Sequence, residues 1–344
     1  GLILTVGTSI GAYLYDITTY EELAVLPTPS PIDSIAFSID NQFIALGQAN
    51  QAIDIFNQNS FEHIIRLEIT EWDLEDDDDI TIYFSPLDNN LVSVINTPET
   101  IYINRWDSFN WSLLDAFSVR NGTKSYAIPA INLIGILRED ALILQSINYP
   151  DDIDSVQLPS DLTPDFFEQL RLTNGEIISS STGDFILINN GEVLTHWTVS
   201  DSETSYRFDN VPVVEPASCY DAPPSCINQS GTYSWDCPPS PLITPIEKVI
   251  LTPDNIMMLI LLNSGRTEFR RASDGLIAWN LDIQFTNITF SPGGDLFFGL
   301  RPDGTIEKRS TLDGGLIDSL NLHPGRLFDL AYSPCLLYTS DAAD

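Results

Sequence analysis

The chain has 344 residues, 43% of them hydrophobic, and carries 49 acidic against 15 basic side chains for a formal net charge of -34. Such a field repels nucleic-acid phosphates and anionic lipid headgroups, and the one dense basic cluster, Arg266, Arg270 and Arg271, is too small to reverse it. The longest uninterrupted apolar run, residues 256–262, falls far short of a bilayer span, so neither nucleic acid nor direct membrane contact is expected.

In chain order, residues 2–6, 12–17 and 22–26 read as three strands that lack a first partner strand. Residues 32–68 form a complete unit with strands near 34–37, 43–47, 52–56 and 63–67. Its apolar side chains alternate (Ile53 and Ile55, Ile65 and Leu67), as on a pleated strand packed between neighbours. A third unit spans 80–118, with Trp106 and Trp111 on its outer strands, and a degenerate fourth spans 124–158. The fifth, 166–199, reads as strands at 168–173, 176–182, 184–190 and 193–199, and a Pro-, Ser-, Cys- and Asp-rich insertion, 201–245, follows. The sixth and seventh units, 247–282 and 286–322, carry Asn-Ser-Gly, Ser-Asp-Gly, Pro-Gly-Gly and Pro-Asp-Gly turns, whose glycines supply the positive φ of tight hairpins. Residues 328–332 add a single closing strand.

The units share a phrase in which an apolar strand ends near Phe-Ser. Phe37 to Phe84 is 47 residues, Leu251 to Phe290 is 39 and Phe290 to Tyr332 is 42. Four strand-like runs at that period predict an all-β protein, a β-propeller of four-stranded blades forming one domain over residues 1–334. Six units are complete. The three opening strands and the closing one would share a further blade, for a seven-bladed ring without free sheet edges.

At Ala36-Phe37-Ser38, Phe84-Ser85-Pro86, Phe290-Ser291-Pro292-Gly293-Gly294 and Tyr332-Ser333-Pro334 the chain resembles the WD40 and WD40-like (YVTN-type) propeller repeats over residues 1–334. His323, in Leu322-His323-Pro324, stands where that family often has a Gly-His pair buttressing the blade. A Trp-Asp terminus is missing, and the second and third units have no matching His. The resemblance implies a rigid binding platform. Residues 335–344 (CLLYTSDAAD) resemble a translated sequencing-library adapter instead, so they are expected to be a non-native tail on a gene fragment from a longer bacterial protein.

Few motifs point to chemistry. Gly7-Thr8-Ser9-Ile10-Gly11 matches the G-x-S-x-G nucleophile elbow, but it joins two strands with no helix after it, so it reads as a hairpin turn. Asp76, Asp77, Asp78 and Asp79 end an acidic run whose carboxylates could hold a hard cation such as calcium, although the run lacks the alternating spacing of a calcium loop and reads first as a solvated connection. His63, His196 and His323 lie in different repeats and form no acid–base set. No catalytic residue and no cofactor are expected.

Cys219, Cys226 and Cys237 sit together in the insertion without a nearby His, which disfavours zinc and suggests one local disulfide with an odd thiol. That pattern favours an oxidising compartment, and with it an extracellular or cell-surface location; three reduced thiols are the alternative. Tyr206, Phe208, Tyr220, Tyr233 and Trp235 of the insertion would serve as recognition anchors, or the insertion is an idle surface loop. The expected function is non-enzymatic: a scaffold or sensor propeller for a protein or peptide partner. The alternative is a secreted propeller enzyme, or a small-ligand or carbohydrate binder, using the mouth of the central channel.

Overall fold

The computed structural model describes residues 3–69, 79–97, 100–120, 125–128, 133–137, 142–147, 153–156, 176–180, 184–189, 191, 193–198, 203–209, 245–321 and 327–333. Among them every regular element is a β-strand. The chain opens with β1 (Ile3–Thr8), β2 (Gly11–Asp16) and β3 (Glu22–Pro27). Next come β4 (Ile32–Phe37), β5 (Phe43–Gln48), β6 (Ala52–Asn57) and β7 (His63–Glu68), then β8 (Asp79–Phe84), β9 (Leu91–Asn96), β10 (Thr100–Trp106) and β11 (Leu113–Arg120). The middle holds β12 (Ser125–Ile128), β13 (Leu133–Leu137), β14 (Leu142–Ser146), β15 (Ile153–Val156), β16 (Glu176–Ser179), β17 (Phe185–Asn189), β18 (Val193–Thr198) and β19 (Glu203–Asp209). The last stretch is β20 (Ile246–Leu251), β21 (Met257–Leu262), β22 (Thr267–Arg271), β23 (Ile277–Leu281), β24 (Asn287–Phe290), β25 (Leu296–Leu300), β26 (Thr305–Ser310), β27 (Leu316–Asn321) and β28 (Leu327–Tyr332).

From β4 to β27 these strands make six four-stranded antiparallel meanders, each an uninterrupted quartet in sequence. The opening strands do not form such a quartet. They complete their sheet with the last strand, in the order β28-β1-β2-β3, through pairs such as Leu4 with Tyr332 and Val6 with Leu330. The result is an all-β propeller of four-stranded blades.

The Phe-Ser phrase has a local cause. Ser38 and Ser291, with Thr252 in the same place, lie just after a first strand and close the turn into the second. Ser38 Oγ accepts from the N–H groups of Gln42 (3.0 Å) and Phe43 (2.9 Å) while donating to Asp40 (2.7 Å). Ser291 does the same with Leu296 and Asp295, and Thr252 with Met257 and Asp254. These hydroxyls are buried, so the turn N–H groups find partners without water.

Blades then pack face to face. Ile53, Ile55 and Leu67 of the second blade meet Ile80, Ile82 and Leu91 of the third. Leu4, Val6 and Tyr15 of the composite blade meet Phe298, Leu300 and Ile306 on one side, and Leu14 and Leu26 meet Ile32 and Ile44 on the other. Gln58 of the second blade also donates to Ser333, just past β28 (2.7 Å). Among the described residues the core is thus a set of seams between blades rather than one central cluster.

Three expectations need correction. The fifth blade begins at β16, not at 168–173, and its fourth strand is β19, taken from the segment expected as insertion. Residues 203–209 form a strand paired with β18, with Tyr206 opposite His196 and Phe208 opposite Leu194, which explains the reassignment. Trp111 is not on a strand: it occupies a turn at φ 60.

Candidate interaction faces

A four-stranded meander sends the turns between first and second, and third and fourth, strands to one face. The turn between second and third strands, and the connection to the next blade, go to the other, which we term the upper face.

The upper face receives both unusual sequence segments. The acidic run leaves near Ile69 and returns at Asp79, the first residue of β8; the insertion leaves at Asp209 and returns at Pro245. Both are connections between blades, so both emanate from this face. Asp76, Asp77 and Asp78, the aromatics Tyr220, Tyr233 and Trp235, and Cys219, Cys226 and Cys237 lie outside the described residues, as does His323.

Around the axis, first strands from successive blades adjoin one another. A first strand is the free edge of its sheet, so its inward N–H groups need acceptors from outside the sheet. The preceding blade supplies them from one recurrent position, three residues before the strand's end. Ser34 Oγ accepts from Ile82 N–H (3.1 Å), and the Glu176 carboxylate accepts from Val249 N–H. At the same position Lys248 donates to Asn287 Oδ1 (3.0 Å). A polar collar results, with the exposed acids Asp33 and Glu247 beside it.

The third strands carry a buried charge system that the sequence did not flag. Asp54 accepts from Gln48 (2.8 Å) and Arg66 (3.1 Å) and lies 2.9 Å from His63 Nε2. Glu268 and Glu307 hold the corresponding place in the last two blades. Arg270 binds Glu268 through Nε (2.9 Å) and Nη2 (2.5 Å) and donates to Gly275 O (3.0 Å). Arg309 does likewise with Glu307 (2.7 Å) and Gly314 O (2.6 Å), while Arg301 adds a second cation to Glu307 (2.9 Å). The only sequence trace is the shared Glu-x-Arg of 268–270 and 307–309. This geometry dissolves the apparent basic cluster: Arg270 is buried and neutralised, Arg266 lies 3.5 Å from Glu268, and Arg271 faces solvent beside Asp274 (2.7 Å).

The remaining sequence candidates take structural places. Thr8 to Gly11 form the β1–β2 hairpin turn, with Thr8 Oγ1 donating to Gly11 O (2.8 Å). His196 stacks on Phe185 (4.5 Å between centroids), and burial holds its imidazole below the ordinary value. Between the composite and last blades a shallow crevice is lined by Tyr20, Lys308 and Asp318. Lys308 sits over the Tyr20 ring, and burial, helped by Asp318, pushes that phenol up to about 12.

The lower face is different in chemistry. Its turn tips expose Ile39, Leu87, Phe109, Ile256 and Leu312, whereas among the described residues the upper face exposes only Ile10 of the large apolar side chains. In the turn between third and fourth strands, the fifth residue takes a left-handed conformation in five blades: Tyr20, Phe61, Trp111, Gly275 and Gly314. Its N–H donates four residues back, as from Trp111 to Asp107 O (2.7 Å). Three of these are aromatic rather than glycine: Tyr20 on Lys308 and Trp111 edge-on to Phe43 at 5.0 Å each lie against the preceding blade, and Phe61 packs on the apolar cluster shared by the composite and second blades.

No protein-family model matches the chain, and no curated protein is similar to it in sequence. Among solved structures it is similar to the β-propeller domain of Cps50 (Swd1) from Myceliophteria thermophila, with 14% identity, a TM-score of 0.57, and 84% of this chain and 85% of that one covered. It is also similar to a chain of a mitotic checkpoint complex, with 12% identity, a TM-score of 0.57, and 86% and 81% covered. At such identities the likeness concerns the propeller fold.

Proposed function

We propose that the protein is a non-enzymatic, WD40-like propeller that closes with seven blades and presents its upper face to a protein or peptide partner, as a scaffold or sensor module of a longer bacterial protein. The observation that carries this reading is that the insertion and the acidic run, the two segments the blades do not need, both spring from the face where the first strands begin. A rigid ring that displays variable segments on one side is the arrangement of a recognition platform. The structural neighbours suit the reading, since one is a module named for its propeller and the other belongs to a multiprotein complex.

A displayed library of random peptides, selected on the full chain, tests it. Enrichment that is lost when residues 210–244 are replaced by a short Gly-Ser linker supports the reading. Unchanged capture removes the insertion from it, and no enrichment ends it.

A second reading, a small ligand at the mouth of the central channel, is favoured by the charged groups Asp33, Glu247 and Lys248 near the polar collar. A glycan array probed with wild-type protein and with Lys248→Ala tests this. Equal signals on every glycan would count against it.

A further inference from the structure

We propose that the lower-face seam between the second and third blades docks a basic, apolar peptide segment of a partner protein. This site is separate from the upper face. It shares with the proposed function only the premise that the propeller binds polypeptides.

The seam is already assembled. Ile39 N–H donates to Asn89 Oδ1 across the two blades (2.8 Å), and Ser108 N–H reaches Asn90 Oδ1 (3.3 Å), so three turns are fixed to one another. On that frame stand Ile39 (54% exposed), Leu87 (71%) and Phe109 (93%), around the half-buried edge-to-face pair of Phe43 and Trp111. Apolar side chains at three neighbouring tips, held by side chain to backbone hydrogen bonds, form a preorganised surface that loses little entropy on binding. An aromatic pair at its centre is what interface anchors consist of.

Charge names the occupant. The three turns at this seam, residues 38–42, 85–90 and 107–112, contain Asp40, Asp88 and Asp107 and neither Lys nor Arg. The capping Asp carboxylates accept turn N–H groups, as Asp107 does from Phe109 (2.7 Å). An apolar surface ringed by fixed carboxylates, on a chain of net charge -34, favours Lys- or Arg-bearing partners and repels a second copy of itself and anionic lipid. Arginine would gain further by stacking on Trp111.

The experiment uses the same displayed random peptides with two variants of the full chain. Leu87→Ser with Phe109→Ser removes exposed side chains only. Asp40→Asn with Asp88→Asn and Asp107→Asn removes charge while leaving an oxygen to cap each turn, and circular dichroism melts check that both variants fold. Peptides combining Lys or Arg with large apolar residues should be enriched, should lose about tenfold or more in affinity for the first variant, and should lose their salt dependence on the second. Peptides that bind wild type and the Ser variant equally, or that carry no cationic bias, overturn the assignment of this seam while leaving the protein-binding reading intact. A selection that yields nothing overturns both. A concentration-dependent dimer in sedimentation that the Ser variant abolishes gives the seam to a second copy and overturns it too.

Discussion

Trp279 roofs Gly314. The indole Nε1 donates to Thr311 O (2.9 Å), and the ring is held in a stack between Phe269 (4.8 Å) and Phe297 (6.0 Å). A β-carbon on Gly314 would stand 3.1 Å from the indole's Cε3 and Cζ3, at a φ of +70 that side chains rarely adopt. This seam mirrors the one at Trp111: there the turn supplies the aromatic and the preceding blade receives it, whereas here the preceding blade supplies it and the turn is bare.

Gly314→Ala therefore carries two penalties, left-handed backbone and a clash with a ring that cannot retreat, and should destabilise by about 2–3 kcal/mol. Gly304 shares the backbone condition at φ +85 but has nothing within 4 Å of the added carbon. Gly304→Ala should cost only about 1 kcal/mol. Urea denaturation of both variants checks the difference; equal losses would mean the roof contributes nothing.

At Trp111 two effects oppose. Replacing a left-handed non-glycine residue by Gly relieves about 1 kcal/mol of strain, yet loses roughly 2–3 kcal/mol of aromatic burial and edge-to-face contact with Phe43. Trp111→Gly should thus be destabilised by about 1–2 kcal/mol. A stabilised variant in the same urea titration would show that strain dominates this turn.

The buried ion pairs give a third test. Glu307→Ala leaves the guanidinium of Arg309 buried and without its carboxylate, a loss of about 3–5 kcal/mol. Glu307→Met combined with Arg309→Met removes both charges and should cost clearly less than the single change. A double variant as unstable as the single one would point to the Arg309–Gly314 contact instead.

His196 gives a pH dependence of definite sign. Burial lowers its folded pKa below the ordinary 6.5, so the unfolded chain binds a proton that the native state resists. Its contribution is complete above that ordinary value and is lost as the pH falls through it. Wild type should lose more stability than His196→Gln between neutral pH and about pH 5.5. Parallel pH profiles for the two proteins would refute the assignment.

Much of this architecture was legible because its causes are local. Ser38 and Ser291 close the turn after a first strand with their own hydroxyls, and so left a repeated phrase that marks blade boundaries. Where that phrase fades the reading slipped. The fifth blade's Ser180 lacks the preceding aromatic, so its first strand was placed too early, and β19 was hidden by the Pro- and Cys-rich residues that follow it. The lower-face seam was harder still. Positive φ was sought at glycines, and nothing local announces that Tyr20, Phe61 and Trp111 take it too, because a contact from the neighbouring blade sustains the strain. Aligning the turns of 16–20, 57–61 and 107–111 with those of 271–275 and 310–314 would have exposed the shared position.

The pairing of β1 with β28 has a consequence for synthesis. Strands β1 to β3 are made before the strand that completes their sheet, so they wait as an incomplete sheet while the six quartets from β4 to β27 are translated. During that interval the unpaired margin of β1 can recruit a foreign strand, and nascent chains crowded on one messenger would be the nearest donors.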